Sequence, residues 1–223
     1  MNLDWSVIGE NFNYLMAGAE LTIIISILSI FLGFVGGIFI GMCRISKNPL
    51  IYYPSTAYVE AFRGTPLLIQ IFLVYLGLSS FNIQLSAWDA GILALSLNSA
   101  AYQSEIFRGG IQSIPKGQME AARSMGLTYN QSMFKVIIPQ ALRNALPPYT
   151  NEFCTMIKDS SLVSAISVME LTWSAKNVIS VTFQPFVVYI FIAFLYFLMT
   201  FVTTRFMRYL EKRYAIPGMM GAE

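Results

Sequence analysis

Arg63 and Asp159 are the residues of this chain whose positions most need a chemical account, because both fall in segments expected to cross a membrane, Asp159 in the one weakest by hydropathy, for which a re-entrant or surface segment is the alternative. Near the centre of a helix in lipid, an ionisable side chain costs about 2.5–3.5 kcal/mol on insertion scales, so it pairs, reaches an interface or serves a pathway. A purely structural account exists for each. Arg63 lies close to the end of its segment and can snorkel to the interface. Asp159 is flanked by Lys158, and a buried ion pair could fix helix register. Other chemistry is excluded. There is no histidine, which removes His-based triads and the commonest metal ligand. Cys43 and Cys154 fit neither a disulfide framework nor a metal site, so no catalytic or metal-binding residues are expected. No G-x-x-x-x-G-K-[ST] loop occurs, so the chain cannot hold ATP in the P-loop manner. If ATP drives it, another polypeptide carries the engine.

A second stretch is built to meet a partner. Glu120-Ala-Ala-Arg-Ser-Met-Gly126, followed by Val136-Ile-Ile-Pro139, is a polar interlude of small residues between apolar segments. Pro115 suits the first turn of a helix, where its missing N–H would be unpaired anyway. Ala121 and Ala122 would leave a nearly bare helix face for close packing. Gly126 can take the left-handed conformation that ends a helix. Thr128 with Gln131 three residues on reads as a capping box opening a second short helix toward Pro139. The stretch is therefore a helix–turn–helix elbow standing outside the membrane.

The elements that must position these residues follow from composition. The chain is 56% hydrophobic and 12% charged, with mean hydropathy +0.59, against about 25% charge in a typical soluble domain. It reads as an all-α integral membrane protein forming a single transmembrane domain over residues 1–223. A net charge of +2 gives no reason to expect nucleic acid. Residues 21–43 form an uncharged run of membrane length, with Gly33, Gly36, Gly37 and Gly41 as a stripe for close packing. Acid before this run (Asp4, Glu10, Glu20) and base after it (Arg44, Lys47) put the N-terminus outside and the first loop in the cytoplasm. The acidic start is also wrong for a signal-peptide n-region.

The second span begins after Pro54 and runs to about residue 78, with a kink or opening at Gly64-Thr65-Pro66. An uncharged outer connection leads to a third span over about residues 88–109, carrying Asn98, Ser99, Ser104, Glu105 and Arg108. The elbow then brings Lys116, Arg123, Lys135 and Arg143 to the cytoplasmic face. The fourth span, residues 142–166, holds Pro147, Pro148, Asn151, Glu152, Lys158, Asp159, Ser160 and Ser161, so its polar face must look into protein or a watery path. Glu170, Trp173 and Lys176 are expected in an outer loop. A fifth span covers about residues 178–204, closed by Arg205, Arg208, Lys212 and Arg213 on the inside. Five spans agree in parity with an outside N-terminus and a cytoplasmic C-terminus.

Glu-Ala-Ala, three residues, Gly, nine residues, a β-branched residue, one residue, an aliphatic and Pro resembles the loop signature of permease subunits in bacterial ABC importers. Val136 and Ile138 depart from it only conservatively. Arg63-Gly-Thr-Pro66, Asn98-Ser-Ala-Ala-Tyr102 with Glu105, Leu146-Pro-Pro148 and Lys158-Asp-Ser-Ser-Leu162 are similar to signatures of the polar amino-acid branch.

The resemblance implies the type I ABC importer permease fold: five transmembrane helices with a cytoplasmic coupling helix between the third and fourth. It implies a transport subunit, not an enzyme, in the cell membrane, coupled through the loop of residues 120–139 to ATPase subunits in two copies. Those subunits bind the ATP and Mg, leaving no cofactor in this chain. It further implies a second permease, identical or paralogous, and an external binding protein delivering an amino acid. Such a zwitterion offers a carboxylate and an ammonium. Arg63 suits the carboxylate by its forked donors, assisted by Thr65. Asp159 suits the ammonium, and Asn98 could bond either. Glu120, Ala121, Ala122 and Gly126 are the expected coupling residues. The alternative, a channel or ion-coupled carrier working alone, gives no reason for the elbow.

Overall fold

The computed structural model describes residues 3–214; the ends of the 1–223 domain, residues 1–2 and 215–223, lie outside the described residues. These are almost wholly helical, with no strand among them. The first helix, α1 (Ser6–Arg44, 39 residues), starts well before the apolar run that announced it. Its small residues Gly18, Thr22, Ser26, Ser29, Gly33, Gly37 and Gly41 are all buried, at the three- and four-residue spacing that makes one helix face. Ile27, Phe31, Val35 and Phe39, on the other side, are exposed, as suits lipid contact.

The buried face of α1 lies along α4 (Ala87–Gln112), the central helix. Contact there is between backbones: a Cβ on Gly37 would stand 3.1 Å from Ser104 N and 3.2 Å from Ala100 O, and one on Gly41 3.1 Å from Ser104 O. Ser86 starts α4 by accepting from Asp89 N, a side-chain cap for one orphan donor.

Between them, α2 (Pro49–Gly64) and α3 (Leu67–Phe72, prolonged by a π-helical turn, Leu73–Gly77) are separated by a bend of 110°. The expected break at Gly64-Thr65-Pro66 is there: Thr65 is extended, as a residue before proline must be. The expected start is corrected. The helix begins at Pro49, capped by Asn48, and continues through Pro54 on its exposed side.

The elbow consists of α5 (Lys116–Ser124), α6 (Tyr129–Ser132), a π-helical turn (Met133–Ile137) and α7 (Ile138–Asn144). It has its own small core of Ile114, Ile137 and Ala141, against which Met119, Met133 and Val136 pack. Next, α8 (Leu146–Asp159) leads into a 3₁₀ segment, Ser160–Ile166.

The expected outer loop after it is instead helical: α9 (Leu171–Thr182). Glu170 is its cap and is fully buried. The carboxylate accepts from Thr172 N and Trp173 N at 2.9 Å and from Tyr196 Oη at 2.8 Å. One acid thus ties α9 to the last helix, α10 (Pro185–Tyr214). Phe183, in the left-handed conformation, breaks the chain between them, so the final long helix starts at Pro185 and not near residue 178. Of the described helices, α1 and α10 are each long and apolar enough to cross a membrane, and α2 with α3 makes a third if the bent pair is one span.

Candidate functional site

The bend between α2 and α3 frees backbone carbonyls that would be costly to leave unpaired in lipid. Gln70, buried on α3, satisfies them: its Nε2 donates to Phe62 O at 2.8 Å and to Thr65 O at 3.0 Å, and also reaches Thr65 Oγ1 at 2.9 Å. Thr65 Oγ1 in turn donates to Ala61 O at 2.8 Å. Asn98, buried on α4, donates to Gln70 Oε1 at 2.9 Å. Thr65 and Asn98 therefore share one hydrogen-bonded knot, whose centre is a glutamine that sequence reasoning did not weigh.

One residue along α4, Ser99 Oγ donates to Glu152 Oε1 on α8 at 2.7 Å and receives Gln103 Nε2 at 2.8 Å. Asp159 is two turns beyond Glu152 on the same helix, which by helical spacing puts both carboxylates on one face. Asp159 is half-buried, and among the described residues its carboxylate has neither a hydrogen bond nor an ion pair within 4.0 Å. The expectation of a polar face on this segment holds. Its carboxylate pair, Glu152 with Asp159, was legible only as composition.

Arg63 is placed differently from a free cation. It stacks over the Tyr102 ring, 5.2 Å from its centroid, and pairs with Glu105 at 3.5 Å. Glu105 also receives Arg44 from α1 and Arg108 from its own helix, the latter at 2.9 and 2.8 Å. Of the four residues expected around a substrate, Thr65 and Asn98 are joined through Gln70. Asp159 lies on the neighbouring helix, and Arg63 belongs to a charged cluster at the ends of α1, α2 and α4.

At the elbow, Gly126 has φ +87° and Leu127 N donates to Ala122 O, a helix stop of the Schellman type. The capping box forms as expected: Gln131 N donates to Thr128 Oγ1 and Thr128 N to Gln131 Oε1. The bare two-alanine face is corrected. Ala121 is exposed, but Ala122 is buried within its own elbow, because adjacent helical positions point about 100° apart. Exposed instead are Met125 at 84%, Tyr129 and Phe134, with Glu120, Arg123 and Lys135 around them. Large apolar side chains left exposed among charged ones, on a connector outside the long apolar helices, have a composition that suits docking.

Residues 33–216 match the model of the family described as binding-protein-dependent transport system inner membrane component. The chain belongs to that family. This permease is 40% identical over 213 residues to the nopaline transport system permease protein NocM of Agrobacterium fabrum, covering 91% of this chain and 88% of that one. It is 37% identical over 213 residues to the L-cystine transport system permease protein TcyB of Bacillus subtilis, covering 95% and 91%. A solved structure of an amino acid ABC transporter with histidines superposes with TM-score 0.91 at 40% identity, over 96% of this chain and 100% of that one. The type I ABC importer permease fold expected from the motifs is the fold observed. The permease is a transport subunit of the inner membrane, and ATP hydrolysis falls to partner ATPase subunits. A carrier or channel working alone finds no support.

In this permease Gly126 is held by its backbone angle alone, since a Cβ there would meet nothing within 4 Å. Valine at φ +87° costs about 1–2 kcal/mol in left-handed backbone, enough to redirect the turn. Gly126→Val is expected to insert normally and to weaken the coupling of ATP hydrolysis to uptake. Gly126→Asn, better tolerated at such a stop, should do so less. Uptake per ATP hydrolysed in proteoliposomes checks both.

Proposed function

We propose that the permease carries a polar amino acid, handed over by an external binding protein, along a path between the α2–α3 bend, α4 and α8. The observation that supports this best is Asp159: a carboxylate half-buried on the polar face of α8, unpaired among the described residues. It stands one helix away from the Thr65–Gln70–Asn98 knot. A zwitterion's ammonium is the partner such a group lacks, and Asn98 and Thr65 offer it polar neighbours. Arg63, paired with Glu105 and stacked on Tyr102 at the helix ends, stands at the margin of this path and outside the amino-acid site. Relatives whose printed names include nopaline and L-cystine agree with a ligand bearing an amino-acid head.

The five crossings in this reading are α1, the α2–α3 pair, α4, α8 with its 3₁₀ extension, and α10. Arg44, Lys47, Arg108, Lys116, Arg143, Arg205 and Lys212 gather at one end, which the positive-inside rule makes cytoplasmic. The N-terminus is then outside and the C-terminus inside, though both terminal segments lie outside the described residues. Two permeases, identical or paralogous, each engage one ATPase through Glu120, Ala121 and the exposed apolar side chains, while Ala122 and Gly126 shape the elbow. ATP and Mg are held by the ATPases.

Asp159→Asn keeps the shape and removes the charge. Hydrogen bonds to charged groups contribute about 1.5–3 kcal/mol, so apparent affinity for the amino acid in uptake should fall about 10- to 100-fold, with ATPase association intact. Unchanged rate and affinity in reconstituted vesicles would remove Asp159 from the site.

A further inference from the structure

The clustered ends of α1, α2 and α4 hold more guanidinium than their carboxylates use. Arg108 occupies Glu105 with two hydrogen bonds, so Arg63 approaches only to 3.5 Å and makes no hydrogen bond among the described residues. Arg44 is more confined. Its side chain is 11% exposed, it reaches Glu105 through one terminal nitrogen, and its Nε is buried with no acceptor. A buried N–H in that state costs about 1–3 kcal/mol. Both arginines border a cavity of about 480 Å³ with Glu60, Tyr102 and Glu105. Three guanidiniums, Arg108 included, stand against two carboxylates, which leaves one positive charge in surplus.

We propose that this cavity binds the phosphate of an anionic phospholipid from the adjoining leaflet. A phosphodiester carries one negative charge and several acceptor oxygens, matching the surplus charge, the buried Arg44 Nε and the Arg63 donors that make no hydrogen bond among the described residues. Its position favours a lipid over a free ion. Basic residues between helices at a membrane boundary are where headgroup phosphates lie. Moreover, α2 leaves α3 at 110° with Tyr52 and Tyr53 exposed, rings of the kind that sit at headgroup depth. Glu60, exposed on α2 and lining the same cavity, is the competitor that keeps the surplus to a single charge. With the orientation proposed above, that leaflet is the cytoplasmic one.

Native mass spectrometry of the purified permease–ATPase complex, loaded with phosphatidylglycerol or phosphatidylcholine, tests the site without any transport step. Its failure is therefore distinct from failure of the amino-acid reading. The wild-type complex should retain phosphatidylglycerol in preference to phosphatidylcholine. Arg63→Gln should lower that retention about tenfold, whereas Glu60→Gln should raise it. Inorganic phosphate at millimolar concentration should leave the lipid in place; displacement by it would make free phosphate the occupant and overturn the lipid assignment. Equal retention by wild type and Arg63→Gln, or no preference between the two lipids, would overturn the site itself.

Discussion

Gly37→Leu is expected to leave little or no folded permease in the membrane. An ideal Cβ at this position would stand 2.7 Å from Gln103 Cβ, 3.1 Å from Ser104 N and 3.2 Å from Ala100 O. Two of those three atoms are backbone, so no rotamer change makes room, and leucine adds three further carbons to the same gap. Forcing extra atoms into a packed seam typically costs about 1–3 kcal/mol, and more where the backbone must move. Moving α1 off α4 would also break the Gln103 Nε2 bond to Ile30 O, 3.1 Å across that seam. Native proteins are stable by only about 5–15 kcal/mol, so the change consumes a large share of what holds the permease together. Quantitative blotting of membranes should show roughly a tenth or less of the wild-type level. Gly9→Leu, on the same helix but with nothing within 4 Å of its Cβ, should accumulate normally and so serves as the control.

The seam was legible because its signal is local. Four glycines in nine residues, at spacings of one helix face, have few other uses in a membrane-length apolar run. The elbow was legible for a similar reason: Thr128 with Gln131 and the stop at Gly126 are short-range chemistry that the surroundings do not override. So was the break at Gly64-Thr65-Pro66, although its size was not, since a proline states that a ladder ends and not how far the chain then turns.

What failed to show involved partners distant in the chain. The extent of α1 toward its N-terminus was hidden because acidic residues mark the end of a hydrophobic window, not the end of a helix. Glu170 looked like loop polarity. It is a buried cap, and glutamate is not one of the usual N-cap residues, so no short-range sign announced it. Ala121 and Ala122 were paired by adjacency, where helical geometry separates them. Gln70, one uncharged polar residue in an apolar run, carried no mark of the carbonyls it would have to satisfy. Arg63 was the most instructive case. Read alone it was a ligand or a snorkeller. The structure instead joins it to Glu105, which lies on a different helix.

Glu105→Gln is expected to destabilise the complex more than any other single change in the charged cluster. The substitution preserves side-chain volume and removes the carboxylate that Arg44, Arg63 and Arg108 all meet. Glu105 is 19% exposed and Arg44 11%, whereas Arg63 is 43% exposed. The Arg44 contribution therefore dominates, since partly solvated pairs contribute little. Removing one partner of a buried pair costs about 3–5 kcal/mol; with this degree of solvation about 2–3 kcal/mol is the reasonable figure. For a chain of this length that corresponds to a fall of about 5–10 °C in melting temperature, measurable on the purified complex by differential scanning fluorimetry. The loss should be smaller in phosphatidylglycerol than in phosphatidylcholine, because a bound phosphate would restore a negative charge beside the three guanidiniums. Glu105→Asp, which keeps the charge but shortens the reach, should fall between wild type and Glu105→Gln. A Glu105→Gln complex melting with the wild type would mean that the arginines discharge into solvent and that the three helix ends are held by packing alone.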